Sequence, residues 1–476
     1  MMNFELRGKA VNIVSHCLYE FTKRIVTTMY LQESIMKTQL FTLAIFCMLF
    51  ASCHHANEPP APKASVQLTA IDTGVVDAQI RLQVTGSNVG YAVAIKRDGQ
   101  TIFASPQPSS GGLTDTTVLD TALLPKHTYA YKAYAFVDGR TIDSSALLPL
   151  TTMDTASHDI SWEMYSFGEG SYSILFDVWI CSETSVWAVG RINTSDSVGF
   201  YNVARWNGRK WNLDVIRFIF QGQQLAEPLR AIYAFGENDL WVGGAIPYHW
   251  DGNRWISYTV AGTFGGNINK IFGTSSSDLY IVGTNGSISH FDGSKWSWVP
   301  SGTTLDIQDI WGAENPRTGE WEILATAGNH YISNERKILS IKETTVTSVP
   351  DSGIHWALSS VWFMPGRQYW VAGSGMWEKD HSLNSSVWKG GPNQITNFTT
   401  NRIRGLNTND LFICGDYGDL RHFNGMSWRN YGEIVGLQNG LYRSVAMTES
   451  SIFVVGDNYD RAIIARGTRV PHQERR

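Results

Sequence analysis

Asp278-Leu279-Tyr280-Ile281-Val282-Gly283, followed shortly by Phe291-Asp292-Gly293-Ser294-Lys295-Trp296, is the stretch that decides the fold. A branched and aromatic run ending in glycine reads as a buried strand, and aromatic-Asp-Gly-x-x-Trp reads as a tight two-residue hairpin turn joining two more strands. Both signals recur outward along the chain. The first returns at 186–190, 240–244, 323–328, 369–373, 411–415 and 452–456, each copy ending in glycine. The second returns as Trp206-Asn207-Gly208 before Trp211, Trp250-Asp251-Gly252 before Trp255, and Phe423-Asn424-Gly425 before Trp428. A further apolar strand precedes the glycine-ending run, as in Val178-Trp179, Ile271-Phe272 and Val361-Trp362. Four strands every ~44 residues is the unit of a β-propeller, and seven units fill 158–470.

The seventh unit reaches its hairpin as the chain nears its end, so its fourth strand is expected to be short or missing on the carboxyl side. Trp162-Glu163-Met164-Tyr165, ahead of the first unit, matches the fourth-strand pattern Trp255-Ile256-Ser257-Tyr258. The expectation is a seven-bladed ring closed by the strand around Trp162, which leaves no open edge. All 18 Trp residues lie between Trp162 and Trp428, and those at equivalent repeat positions read as packing between blades.

The formal charge of -5 and 17% charged residues give no basic nucleic-acid footprint. Residues 36–53 read as a secretory leader: Met36-Lys37, about a dozen apolar residues over 40–51, and then Ser52-Cys53, too short for a membrane span. Phe50-Ala51-Ser52-Cys53 resembles the lipobox of bacterial lipoproteins, which implies lipidation at Cys53. On this reading 1–35 is an over-extended start, and 54–65, with Pro59, Pro60 and Pro62, is a tether. The chain would then be lipid-anchored in the cell envelope, at the outer membrane. Cys181 and Cys414 sit in apolar strands and read as buried thiols.

Residues 66–153 contain no Trp and alternate apolar with polar, as in Ile80-Arg81-Leu82-Gln83-Val84 and Tyr129-Ala130-Tyr131-Lys132-Ala133. With turn signals at Asp98-Gly99 and Asp138-Gly139, the stretch reads as a β-sandwich. Leu124-Pro125-Lys126-His127-Thr128-Tyr129 resembles the approach to the penultimate strand of fibronectin type III domains. That resemblance implies a spacer or interaction module, so the whole reads as an all-β chain of two architectures.

No nucleophile elbow, phosphate loop, dinucleotide motif or zinc-protease motif is present, and no cofactor or metal is expected. His249, His290 and His422 recur at one repeat position on different blades and cannot converge on one ion. The candidate site is the mouth of the central channel. Two positions before the centre of each innermost strand, the reading places Phe176, Arg230, Asn269, Gln308, Ser359, Arg404 and Arg443, with Asp177, Lys270 and Asp309 adjacent. Loops on the same face carry Asp416-Tyr417-Gly418-Asp419 and Asp457-Asn458-Tyr459-Asp460. Trp377 breaks the repeat and is expected as an exposed aromatic platform.

The repeat resembles a group of bacterial Trp-rich propeller proteins, many of them exported lipoproteins with a fibronectin-like domain in front. Kelch-type propellers are a second resemblance, carried only by Gly243-Gly244 with Trp250 and Trp255. The first resemblance carries a glucosyltransferase-like label without a matching motif here. Three readings follow: a non-catalytic propeller that binds a glycan or an envelope protein at its loop-rich face, an assembly scaffold, and a carbohydrate-active enzyme using Asp177, Asp309, Asp416 or Asp457. The non-catalytic reading is preferred.

Overall fold

The computed structural model describes residues 63–470, apart from 88–89, 106–111, 170–171, 197, 221–222, 330–331 and 385–386, together with 22–28, 32 and 36. The expected leader beyond Met36, the lipidation site Cys53 and most of the tether lie outside the described residues.

Two antiparallel sheets share one core ahead of the repeats. Ser65–Thr73, Asp77–Ser87 and Gly112–Thr121 pair in that order. The second sheet runs Gln100–Ala104, Ala92–Arg97, Thr128–Val137, Arg140–Ser144, and Leu148–Thr151 also pairs with Thr128–Val137. Strict alternation in Thr128–Val137 buries Tyr129, Tyr131, Ala133 and Ala135 against Ile80, Leu82 and Ile95. The Tyr129 hydroxyl accepts the Leu124 N–H at 2.8 Å, which pins the corner before the strand.

The rest is a seven-bladed β-propeller. Seven four-stranded sheets follow in chain order. Their innermost strands are Ile174–Ser182, Ala231–Gly236, Ile268–Ser275, Ile307–Glu314, Leu358–Met364, Thr400–Asn407 and Leu441–Met447. Each packs beside the next, and the seventh packs against the first, so the ring is closed. Blade seven takes its outer strand from Ile160–Phe167, which pairs antiparallel with Ala462–Arg469 and sets Trp162 opposite Gly467. Trp162 packs on Phe412 and Tyr431 of blade six.

The repeat residues now have physical reasons. The glycine ending the second strand lies where backbone crosses close by: a Cβ at Gly283 would sit 1.9 Å from the Asn267 carbonyl oxygen, and one at Gly456 1.8 Å from that of Leu441. The hairpin differs from the expected two-residue turn. Phe291 pairs with Trp296, so four residues form the loop. Asp292 Oδ1 accepts the N–H groups of Ser294 and Lys295 at 2.9 and 3.0 Å, and only Gly293 takes positive φ, at 88°. The side chain caps the turn, so Asp or Asn serves equally. The three recurring histidines bond to an Asp of their own blade and stack on an aromatic neighbour. His249 meets Asp239 and Trp241, His290 meets Asp278 and Tyr280, and His422 meets Asp410 and Phe412.

The sandwich rests on one face of the ring, against blades five and six. Arg367, in the first hairpin of blade five, pairs with Asp72 at 2.9 Å and donates to the Thr73 carbonyl at 2.8 Å. Asn409 of blade six donates to the Asp154 carbonyl. The opposite face, where the innermost strands begin, is clear of these contacts.

Candidate functional site

Strand pairing arranges the channel in layers. Ile271 faces Ile281, Val178 faces Ala188 and Ile403 faces Ile413, so these are equivalent centres. Two residues earlier lies the mouth layer: Phe176, Arg230, Asn269, Gln308, Ser359, Asn401 and Arg443. This corrects blade six, where the sequence reading placed Arg404 at the mouth. That reading took Leu406 as the strand centre, but Leu406 is exposed whereas Ile403 is fully buried. Arg404 belongs with Trp179, Trp311 and Trp362, deeper in the channel, and its guanidinium lies 4.8 Å from the Trp311 ring centre.

Several mouth residues stitch neighbouring blades. Asn269 donates to the Ile307 carbonyl at 3.0 Å, Ser359 to that of Thr400 at 2.5 Å, and Asn401 to that of Tyr442 at 2.9 Å. Gln308 donates to the Gly328 carbonyl. The polar ring expected as a ligand surface is in good part a belt that satisfies strand ends.

The arginines are different. Arg230 and Arg443 lie over the Phe176 ring, 4.8 and 5.4 Å from its centre. Arg443 pairs with the buried Asp457 at 2.8 Å. Among the described residues Arg230 makes a single long side-chain hydrogen bond, 3.4 Å to Asn269 Oδ1, and its buried Nε has no partner. Burial, then the neighbouring Arg443, push its pKa down, with Asp306 opposing. Arg402, 6% exposed, also lines this depression of about 260 Å³, and its buried Nε has no hydrogen-bond partner among the described residues. A mouth with crowded guanidinium groups suits an anion.

One layer down, the acids are committed. Asp177 takes both oxygens to Lys270 at 2.6 Å and accepts the Ile232 N–H and the Ser444 hydroxyl. Asp309 is held by Arg402 at 2.5 Å, Arg404 at 2.7 Å and the Ser360 hydroxyl at 2.5 Å. Despite full burial, the two arginines, with Lys270 behind them, hold Asp309 well below the usual carboxylate range. Burial pushes Lys270 down to about 8, with Asp177 opposing. A general acid needs the reverse of the Asp309 shift and a path to substrate, and both aspartates are buried with their oxygens engaged, so neither suits the enzymatic role considered for it. Asp416 is buried and accepts from Asn401 at 3.1 Å.

Trp377 is not the expected platform. It is 2% exposed and packs with Trp388, Val371 and Ile338, because Gly375–Asp380 is the third strand of blade five rather than a loop. Tyr417 and Tyr459 are exposed, as is Tyr172, which sequence reasoning missed. All three hold positive φ, at 57°, 72° and 74°, unfavourable for a residue with a Cβ. The exposed tryptophans are Trp298, Trp321 and Trp356. Among the described residues no His, Cys, Asp and Glu group could hold a metal, and no helix is long and apolar enough to cross a membrane.

No family model and no curated protein matches the chain. Solved propellers do resemble it. YCF48 bound to a D1 peptide is 14% identical with a TM-score of 0.49, covering 64% of this chain and 96% of its own. YCF48 from Cyanidioschyzon merolae is 12% identical with a TM-score of 0.47, covering 64% and 98%. A catalytically inactive virginiamycin B lyase from Staphylococcus aureus with quinupristin is 10% identical with a TM-score of 0.45, covering 65% and 100%. The propeller assignment rests on this chain's own sheet order and closed ring.

Proposed function

We propose that this is an exported, lipid-anchored cell-envelope protein whose propeller is a non-catalytic binding module, taking a carboxylate-bearing segment of a partner protein at the channel mouth. The observation that carries this reading is Arg230: half-buried over Phe176, beside Arg443, with one long side-chain hydrogen bond, to Asn269, among the described residues. A carboxylate brought there would gain charge-assisted hydrogen bonds in a partly desolvated setting. The three exposed tyrosines, held at positive φ on loops of the ring, supply large contact area at low entropic cost.

The sandwich is read as a fibronectin type III-like spacer. Its strand order and the Tyr129 corner support that reading. Anchored by Cys53 through the 54–65 tether, such a spacer would hold the ring away from the membrane with its mouth on the side the sandwich leaves clear.

Two experiments test the proposal. A glutamate-rich peptide should bind the mature protein, and its glutamine-for-glutamate counterpart should not; equal binding of both would refute the mouth. Radiolabelled palmitate should enter the protein in a bacterial host and be lost in Cys53→Ser; equal labelling of the variant, or none in wild type, would refute the anchor.

A further inference from the structure

Trp298 stands where the fold asks for no tryptophan. It lies two residues beyond Trp296 in Trp296–Trp298, the outer strand of blade three, opposite Ser289. The equivalent positions two beyond Trp211, Trp255 and Trp428 are Leu213, Ser257 and Asn430. Trp296 is buried between blades, whereas Trp298 is 59% exposed. It therefore contributes little to the packing that explains its neighbour.

What it faces is a groove. An open cleft of about 800 Å³ runs between blades three and four, bounded by Trp298 and Pro300 on one side and by Glu335, Arg336 and Lys337 on the other. Arg336 pairs with Asp351 at 2.9 Å. The exposed Glu335 and Lys337 side chains have no hydrogen bond or ion pair among the described residues. The groove thus offers one broad aromatic face, a free acceptor and a free donor, and its charges balance. That is unlike the arginine-rich mouth, and it does not favour an acidic peptide.

We infer that this groove binds a neutral oligosaccharide, with Trp298 as the platform for a sugar ring. The C–H face of a pyranose is apolar and covers an indole, while its rim of hydroxyls both donates and accepts. Glu335 accepts from those hydroxyls and Lys337 donates to them. The exposed aromatic platform expected at Trp377 lies instead at Trp298, on a different blade: an exposed indole in a polar cleft.

The test is native affinity electrophoresis of the mature protein in gels containing laminarin, xyloglucan, arabinoxylan or pullulan. Wild type should be retarded by at least one of these. Trp298→Ala should weaken that retardation at least ten-fold, Trp298→Phe should keep most of it, and both should melt like wild type. Arg230→Gln should be retarded like wild type, which separates this groove from the mouth. No retardation of wild type on all four polysaccharides, or equal retardation of Trp298→Ala, would overturn the inference; binding of a glutamine-rich peptide that Trp298→Ala abolishes would do so in favour of a protein ligand.

Discussion

Lys270 of blade three reaches Asp177 of blade one, its ammonium 2.6 Å from both carboxylate oxygens. Blade two, between them, contributes only the small Ala231 to that layer. The pair ties blades that share no sheet, and it is fully enclosed. Removing one member of such a pair strands the other, at a cost of about 3–5 kcal/mol. Lys270→Met should therefore lower the urea midpoint sharply. Adding Asp177→Asn, which removes the stranded charge and keeps an acceptor for the Ile232 N–H, should recover more than half of the loss. Additive losses in the double variant would show that the two residues are not coupled.

The ring is closed by Ile160–Phe167, so its integrity depends on a strand far from the carboxyl end in sequence. Deleting 158–168 exposes the edge of Ala462–Arg469 and uncovers Phe412 and Tyr431. The expected outcome is loss of the cooperative thermal transition and of near-ultraviolet circular dichroism. A deletion variant that melts like wild type would refute closure by this strand.

The segment leading into that closing strand also carries a pH dependence. His158 lies 2.9 Å from His422, Nδ1 to Nδ1, and burial, then His422, push its pKa down to about 4. His422 is lowered too, by burial that outweighs Asp410. Both folded-state values lie below the unfolded value of roughly 6.5, so the unfolded chain binds more protons. Stability is full above pH 6.5 and falls as pH drops towards 4, by roughly 1 kcal/mol for His158 once solvent screening is allowed for. Melting temperature measured between pH 7 and 4.5 should decline less steeply in His158→Gln. An unchanged slope would remove the histidine pair from the account.

Trp377→Ala is expected to act on stability. Its indole fills the space between blades four and five, and truncating a buried aromatic of this size costs about 3–5 kcal/mol. A melting temperature equal to that of wild type would return Trp377 to the surface.

Much of the ring was legible because its signals repeat. Seven copies averaged out local ambiguity, and even the closing strand could be read from Trp162-Glu163-Met164-Tyr165 as an orphaned fourth strand. The site was less legible. Arg404 went to the wrong layer because Arg402-Ile403-Arg404-Gly405-Leu406 offers two apolar candidates for one strand centre, and only pairing with Ile413 chooses between them. Trp377 seemed exceptional because blade five lacks the Asn-Gly hairpin, which hid a third strand. Trp298 was visible all along as a tryptophan whose repeat equivalents are Leu, Ser and Asn. Which polar residues bond to backbone and which keep donors unspent is a matter of three-dimensional partners, and no spacing rule reports it.

Carboxylate recognition at the mouth, as proposed, depends on Arg230. The most direct measurement is the affinity of wild type and Arg230→Gln for a tetramethylrhodamine-labelled glutamate-rich peptide, read by fluorescence anisotropy at low and physiological salt. Wild type should bind, more weakly as salt rises. Arg230→Gln should lose at least ten-fold in affinity while melting like wild type, because among the described residues Arg230 makes only one long side-chain hydrogen bond. Equal affinities for the two proteins, or no binding by wild type, would rule out Arg230 as the carboxylate's partner.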